Sequence, residues 1–252
     1  MRISSRSNNK IKFNDDHINY TNKNGILVPS VTTILKVLAK DDALMSWSNN
    51  LGWKHKSYKK ELENSSIIGT TAHSFCEYMI KQDDDLLSQI ISRMSNFPVD
   101  LYTQTKNAIV SFKKWYMNNK DYLEVLYTEL QLVSDKCGGT TDLVCNFKDK
   151  LMLIDYKTSS SFYMSQFLQL AQYAKMYSEK FNIKVDDVAV LRLDKKNGDN
   201  AQLLRLSSLP NGDLEYYQYV FDKLITLYNF NNVLNNDWEI YKSLINSGIV
   251  IE

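Results

Sequence analysis

Between residues 65 and 81 the apolar positions recur every three or four residues, and the same spacing returns over 101–117, so both stretches predict helices. Pro29 and Ser30 read as a helix start, with Ser30 as N-cap before Val31, Ile34 and Leu35. A further helix is expected from Asp41 through Trp47 toward Lys60. Ahead of these, short polar strands and turns are expected at 11–13, 17–20 and 25–28. Residues 1–120 are therefore expected to be mostly helical.

The pattern then changes. Residues 123–133 alternate as a strand, with Leu126, Thr128, Leu130 and Leu132 on one face and Val125, Tyr127, Glu129 and Gln131 on the other. Residues 140–147 and 151–157 form a hairpin about Lys148 and Asp149, and 164–181 a helix carrying Phe167, Leu170, Ala171, Ala174 and Tyr177. An apolar strand at 188–193 ends in Asp194, Lys195, Lys196, Asn197 and Gly198; its antiparallel partner is 202–206. Two helices, 214–230 and 238–246, close the chain. The order β-β-β-α-β-β framed by helices predicts an α/β fold. Its core sheet and helix are expected at 121–210, within one domain spanning 1–252, and there is no internal repeat.

Composition narrows the function classes. The chain has 252 residues, with 16 Tyr and 10 Phe for a core, and only 3 Pro, which argues against long linkers. A formal net charge of +1 means that any nucleic-acid surface is a local patch. Cys76, Cys137 and Cys145 lack the spacing of a disulfide framework or of a zinc or iron–sulfur site. The polar N-terminus has no apolar run behind its Arg and Lys, and no segment is long and apolar enough to span a bilayer. No membrane association and an intracellular location are expected.

The hairpin carries the chemistry. Counted outward from Phe147 opposite Lys150, Val144 meets Leu153 and Asp142 meets Asp155. Opposed residues share a face at about 4.5–5.5 Å between Cβ atoms, and Lys157, two residues on, emerges on the same face. Two bare carboxylates so close repel unless a cation joins them. Oxygen ligands suit Mg²⁺ or Mn²⁺. Lys157 beside the ion is placed to hold a water. The plainer alternative is a surface salt bridge. The run Leu151, Met152, Leu153, Ile154 opposes it, because it describes a strand buried on both faces.

These residues resemble a known family. Gly139-Thr140-Thr141-Asp142, then Asp155-Tyr156-Lys157, then Gln169-Leu170-Ala171-Gln172-Tyr173 resemble the core motifs of PD-(D/E)XK nucleases. The similarity is to the RecB-like branch, which includes phage exonucleases and mitochondrial genome-maintenance exonucleases. That branch carries a G-x-x-x-H-x-x-x-E helix, matched by Gly69, His73 and Glu77, and a further acidic position matched by Glu129. The resemblance spans about 69–177. The Pro of the family signature is absent, and so is the cysteine set of its iron–sulfur members, so no cluster is expected.

The resemblance implies a mixed central sheet flanked by helices, with the helical N-terminal region as an elaboration. It implies a metal-dependent deoxyribonuclease in which Asp142 and Asp155 hold Mg²⁺ or Mn²⁺, His73 and the Tyr156 carbonyl complete the ligands, and Lys157 positions the water. Glu77 and Glu129 support the site, as do Gln169 and Tyr173, one helical turn apart. Thr158 and Ser159 are expected to touch phosphate. Lys54, Lys56, Lys113 and Lys114, interleaved with Trp53, Tyr58, Trp115 and Tyr116, are expected to contact single-stranded DNA. The expected partner is single-stranded or linear DNA, attacked from a free end in phage-type recombination, replication or degradation. Homo-oligomerisation or a recombination or replication partner fits the same family. Rival readings are a structure-specific or duplex endonuclease of the superfamily, a non-catalytic nucleic-acid-binding relic, and a metal-dependent hydrolase of another substrate.

Overall fold

The computed structural model describes residues 19–38 and 41–246; the strand expected at 11–13 and most of that at 17–20 lie outside the described residues. Tyr20–Thr21 (β1) and Leu27–Val28 (β2) pair as a small antiparallel hairpin. Ser30 then accepts the Thr33 N–H at 3.0 Å and caps a short helix, Val31–Leu35 (α1). Asp41–Trp53 (α2) stops short of the expected Lys60, because His55 turns the chain with φ 54°. Ser57 caps a new helix, Tyr58–Lys81 (α3), which starts earlier than its apolar spacing indicates. Asp84–Met94 (α4), capped by Asp83, fills a stretch for which the spacing predicts no element. Val99–Asn119 (α5) follows Pro98.

The sheet is formed by Leu123–Val133 (β3), Gly138–Phe147 (β4), Lys150–Lys157 (β5), Asp187–Arg192 (β6) and Gln202–Arg205 (β7). Its order is β3-β4-β5-β6-β7, antiparallel except for the parallel pair β5 and β6, which Met164–Phe181 (α6) connects. The turn between β4 and β5 uses Lys148 and Asp149, both at positive φ (51° and 61°), as a two-residue hairpin with the right-handed strand twist requires. The register runs from Phe147↔Lys150 through Leu143↔Ile154.

Both faces of the sheet are covered, which accounts for the unbroken apolar runs of β5 and β6. On one face α6 and α1 pack with Leu214–Asn246 (α7), enclosing Val144, Leu153, Val188 and Phe221. On the other, α3 and α5 enclose Leu143, Cys145, Ile154, Tyr156 and Leu191.

Two expectations need correction. The strict alternation of β3 breaks at a bulge between Val125 and Tyr127, and Glu129 takes a left-handed φ of 50°. Tyr127 therefore reaches the α6 face, against Tyr177 and Phe181, instead of the face opposite Leu130 and Leu132. At the C-terminus the two expected helices are one, α7, since no Pro or Gly interrupts 231–237. Beyond Phe230 its described side chains are exposed on every side. Among the described residues no helix is long and apolar enough to cross a membrane.

Candidate metal centre

The site forms where β4 and β5 stop pairing. Leu143↔Ile154 is the last pair, and the next step would oppose Asp142 to Asp155. Asp142 instead turns its carboxylate into the gap, where Oδ2 accepts the Tyr156 N–H at 2.7 Å. A side chain thus replaces a ladder carbonyl and satisfies a buried donor. The opening between the strands lets groups from both helical layers reach the same place.

From α3 comes His73, whose Nδ1 lies 3.4 Å from Asp142 Oδ1 and whose ring meets the Tyr156 ring edge-on. From β3 comes Glu129, which stands opposite Asp142 between the pairs Thr128↔Leu143 and Leu130↔Thr141. Its left-handed backbone costs roughly 1–2 kcal/mol for a residue with a Cβ. Glu129 is exposed at the rim, but His73, Glu129 and Asp142 each bring one ligand atom within 4.8 Å of the others, a group that could hold a metal ion.

Asp155 is outside that group of three, and its neighbours differ. It is almost fully buried (2% exposed); Oδ2 lies 2.6 Å from Lys157 Nζ without a well-aligned hydrogen bond, and Oδ1 accepts from Gln169 Nε2 at 3.4 Å. Gln169 also donates to the Tyr173 hydroxyl at 3.1 Å. The hydroxyl end of the Tyr173 ring abuts Gly139, where a Cβ would come within 2.3 Å of it. Gly139 is thus needed for the brace that runs from Tyr173 through Gln169 to Asp155.

The electrostatics follow from burial and charge together. Burial opposes a charge on His73, but the adjacent Asp142 carboxylate outweighs it and raises the imidazole to about 9. Burial works against Asp142 as well, yet His73, Lys157 and the Tyr156 N–H hold its carboxyl below the usual range. Desolvation, reinforced by the Asp142 charge, raises Asp155 to about 6 despite Lys157. Desolvation and Asp142 likewise raise Glu129 to about 7. Lys157 is desolvated too, and Asp155 with Asp142 more than restores its ammonium. The three carboxylates hold protons on His73, Lys157 and, in part, on one another, and a divalent cation would take the place of those protons, His73 giving up its own to become a ligand. The donor set suits it: carboxylate oxygens, an imidazole, and the imperfectly satisfied Oδ2 of Asp155.

Beside the centre opens a cleft of about 790 Å³, lined by His73, Tyr156, Lys157, Thr158, Ser159 and Lys195, among others. Thr158 and Ser159 lie on its wall, the Ser159 hydroxyl donating to the Ser161 carbonyl at 2.7 Å, and Gly69 on α3 approaches Thr158 Oγ1 closely enough that a Cβ there would sit 3.7 Å away. Glu77 is drawn off to Lys81, one turn along α3, and remains outside the three-ligand group. Lys56 pairs at 3.4 Å with Glu61, itself a cleft residue, while Lys54 is exposed next to Trp53, which is 85% exposed.

The stretch around Lys113 and Lys114 is arranged differently from the expected stacking surface. Trp115 is buried against Phe112 and Phe147, and Tyr116 stacks on Phe112, so neither ring is free for a base. Lys113 is exposed, and Lys114 donates to the Gly198 carbonyl at 2.7 Å. Lys195 and Glu61 are cleft residues that sequence reasoning missed. The signal for Lys195 was present as the Asp194-Lys195-Lys196 strand ending, read only as a turn.

No protein-family model matches the chain, and no curated protein does. Among solved structures, a Eubacterium rectale protein provisionally called an exonuclease is similar at 11% identity over 75% of this chain and 69% of its own, with a TM-score of 0.46. The protein SSO0001 is similar at 14% identity over 62% of this chain and 74% of its own, with a TM-score of 0.28. At these identities and TM-scores neither likeness carries a functional assignment.

Proposed function

We propose that the chain is a divalent-metal-dependent phosphodiesterase of the PD-(D/E)XK type that hydrolyses DNA from a free end. One observation carries this reading: His73, Glu129 and Asp142 converge within 4.8 Å at the open end of a hairpin whose Asp155 and Lys157 are paired at 2.6 Å, beside a hydroxyl-lined cleft. Buried charge of this kind costs stability and is expected where chemistry needs it.

In this reading Asp142, His73 and Glu129 hold the ion, and Asp155 joins them through the oxygen that now faces Lys157. The bound ion, Mg²⁺ or Mn²⁺, supplies positive charge and Lewis acidity toward a phosphoryl oxygen. Lys157 holds a water in line with the phosphorus and offsets the negative charge that develops there. Asp142 fixes the backbone of Tyr156, and so the direction of β5 that aims Lys157. Gln169 and Tyr173 keep Asp155 in place from the α6 side. Thr158 offers a hydroxyl donor to a non-bridging phosphate oxygen, while Ser159 donates to the Ser161 carbonyl at 2.7 Å and accepts from Gln166 at 3.2 Å, which shapes the loop beside it. The DNA substrate, the free-end preference and the setting in phage-type recombination, replication or degradation rest on the motif resemblance.

The test is incubation with end-labelled linear single-stranded DNA, linear duplex and closed circular DNA, in Mg²⁺, Mn²⁺ or EDTA, with Lys157→Ala alongside. Loss of linear substrate alone, absent in EDTA and in the variant, is expected. Cutting of circles would replace the exonuclease reading by an endonuclease one. Binding without cleavage under either metal would overturn the catalytic assignment.

A further inference from the structure

Beyond the cleft lies a second hollow of about 340 Å³, which shares Ser159, Ser160 and Lys195 with it and adds Arg192, Lys196 and Asn197. The two adjoin along these three shared residues, Lys195 among them, and Lys157 lines the cleft but not the hollow. The hollow is built on residues 194–200, a loop that is fixed before any ligand arrives. The Asp194 carboxylate accepts three backbone N–H groups, from Lys196 at 3.0 Å, Asn197 at 3.2 Å and Asp199 at 3.3 Å. Desolvation opposes the charge on Asp194, but the three bonds together outweigh it and hold the carboxyl below the usual range, so this acid is turned into the loop.

From α5, Asn107 donates to the carbonyls of Lys195 and Lys196, Lys114 to that of Gly198, and the Ser111 hydroxyl accepts the Asp194 N–H at 2.8 Å. Gly198 is buried at φ 69°, where a Cβ would press on the Asn107 backbone at 3.3 Å. Four polar side chains and a glycine are thus committed to one loop conformation. What that conformation presents is mainly cationic: Lys195 half-buried at the wall, Lys196 exposed, and Arg192 braced by Gln202 Oε1 and the Phe162 ring, against one exposed carboxylate on the lining, Asp199, which accepts from Asn197 Nδ2 at 3.5 Å. Burial lowers the Lys195 ammonium although Glu61 lies near it, so an added anion would be favoured there.

We infer that loop 194–200 with Arg192 is a second phosphate subsite, which grips the backbone of a nucleic-acid strand beyond the scissile bond. The inference rests on the nuclease reading and deepens it: a strand that extends along these residues is held more tightly than a substrate that ends at the scissile bond. Lys195 is a positioning residue, acting on substrate placement rather than on the reacting atoms.

The test compares Lys195→Gln, Arg192→Gln and the loop-loosening Asp194→Asn with the native chain on two substrates. One is a 16-nucleotide single strand; the other is a nitrophenyl ester of thymidine monophosphate, a phosphodiester that fills the scissile position alone. A rise of about tenfold in KM on the oligonucleotide, with kcat kept, is expected for Lys195→Gln. Its binding in EDTA should lose about 0.7 from the slope of log affinity against log salt. The small ester should be cut as by the native chain. Native-like KM and salt slope in all three variants would overturn the subsite while leaving the nuclease reading intact. Equal losses on both substrates would overturn it too, by placing Lys195 in the chemistry. If the native chain cuts neither substrate, the nuclease reading fails and the subsite falls with it.

Discussion

Asp142 Oδ2 accepts the Tyr156 N–H at 2.7 Å at the step where β4 and β5 cease to pair, so one carboxylate serves both the strand ending and the candidate metal group. The two roles can be separated. Asp142→Asn keeps an acceptor for the N–H, gives up the charge that faces His73 and should lose metal-dependent hydrolysis. Asp142→Ala strands a buried donor and should lie about 1–3 kcal/mol below Asp142→Asn. Chemical denaturation of both variants in EDTA measures the difference; equal stabilities would mean that the bond contributes nothing.

Lys157 lies 2.6 Å from Asp155 and 27% of its side chain is exposed, toward the cleft. Lys157→Ala should lower the single-turnover rate by about 10²-fold or more. Its Mg²⁺ affinity, read by calorimetry, should be retained or increased, since a competing cation is gone. A variant that loses metal binding together with rate would contradict this division of roles.

The raised carboxyl of Asp155 has a signed consequence for the metal-free protein. A folded value of about 6, above the ordinary 3.8, means that folding favours the protonated form. Its contribution to stability is therefore present below 3.8 and is lost as pH rises through about 6. Glu129, raised to about 7, acts in the same direction. In EDTA the protein should lose stability between pH 4 and 8, and Asp155→Asn should recover about 1–3 kcal/mol at pH 8. Urea midpoints at the two pH values check the sign; a metal-free protein that gains stability over this range through these groups would refute it.

Two glycines of the recognised motifs should respond oppositely. Gly139→Ala drives a Cβ to 2.3 Å from the Tyr173 ring and should cost about 1–3 kcal/mol, partly recovered by Tyr173→Leu. Gly69→Ala meets only Thr158 Oγ1 at 3.7 Å, inside α3, and should stabilise by about 0.5–1 kcal/mol. Thermal melts of the three variants decide it.

A stop codon after Asn231 removes the stretch of α7 whose described side chains are all exposed. The remaining helix keeps Phe221, Leu224 and Ile225 in the core, so the melting temperature should shift by no more than about 2 °C. A larger loss would show that the distal helix has a partner in solution.

The hairpin was legible in the chain because strand alternation and a two-residue turn set the register, and Phe147↔Lys150 through Leu143↔Ile154 follow from counting. Asp142, Asp155 and Lys157 could be singled out for the same reason, as charges in places where local pattern demands apolar residues, whereas His73, Gln169 and Tyr173 stood out only through the motif resemblance. Their division into partners was not legible. Asp142 faces His73 and Glu129 while Asp155 faces Lys157 and Gln169, because the strands separate just before the two acids would have met, and nothing local marks that step. Glu129 is brought beside Asp142, at the exposed rim, through a left-handed backbone in a bulged strand, which alternation cannot foresee. Lys195 reads as a turn residue until α5, almost ninety positions earlier, ties its loop beside the cleft. Periodicity and turn chemistry are properties of neighbours in sequence, so the chain alone determined the elements and the charged anomalies within them. Which of those charges share a site depends on contacts between distant segments, and the tertiary structure alone decided that.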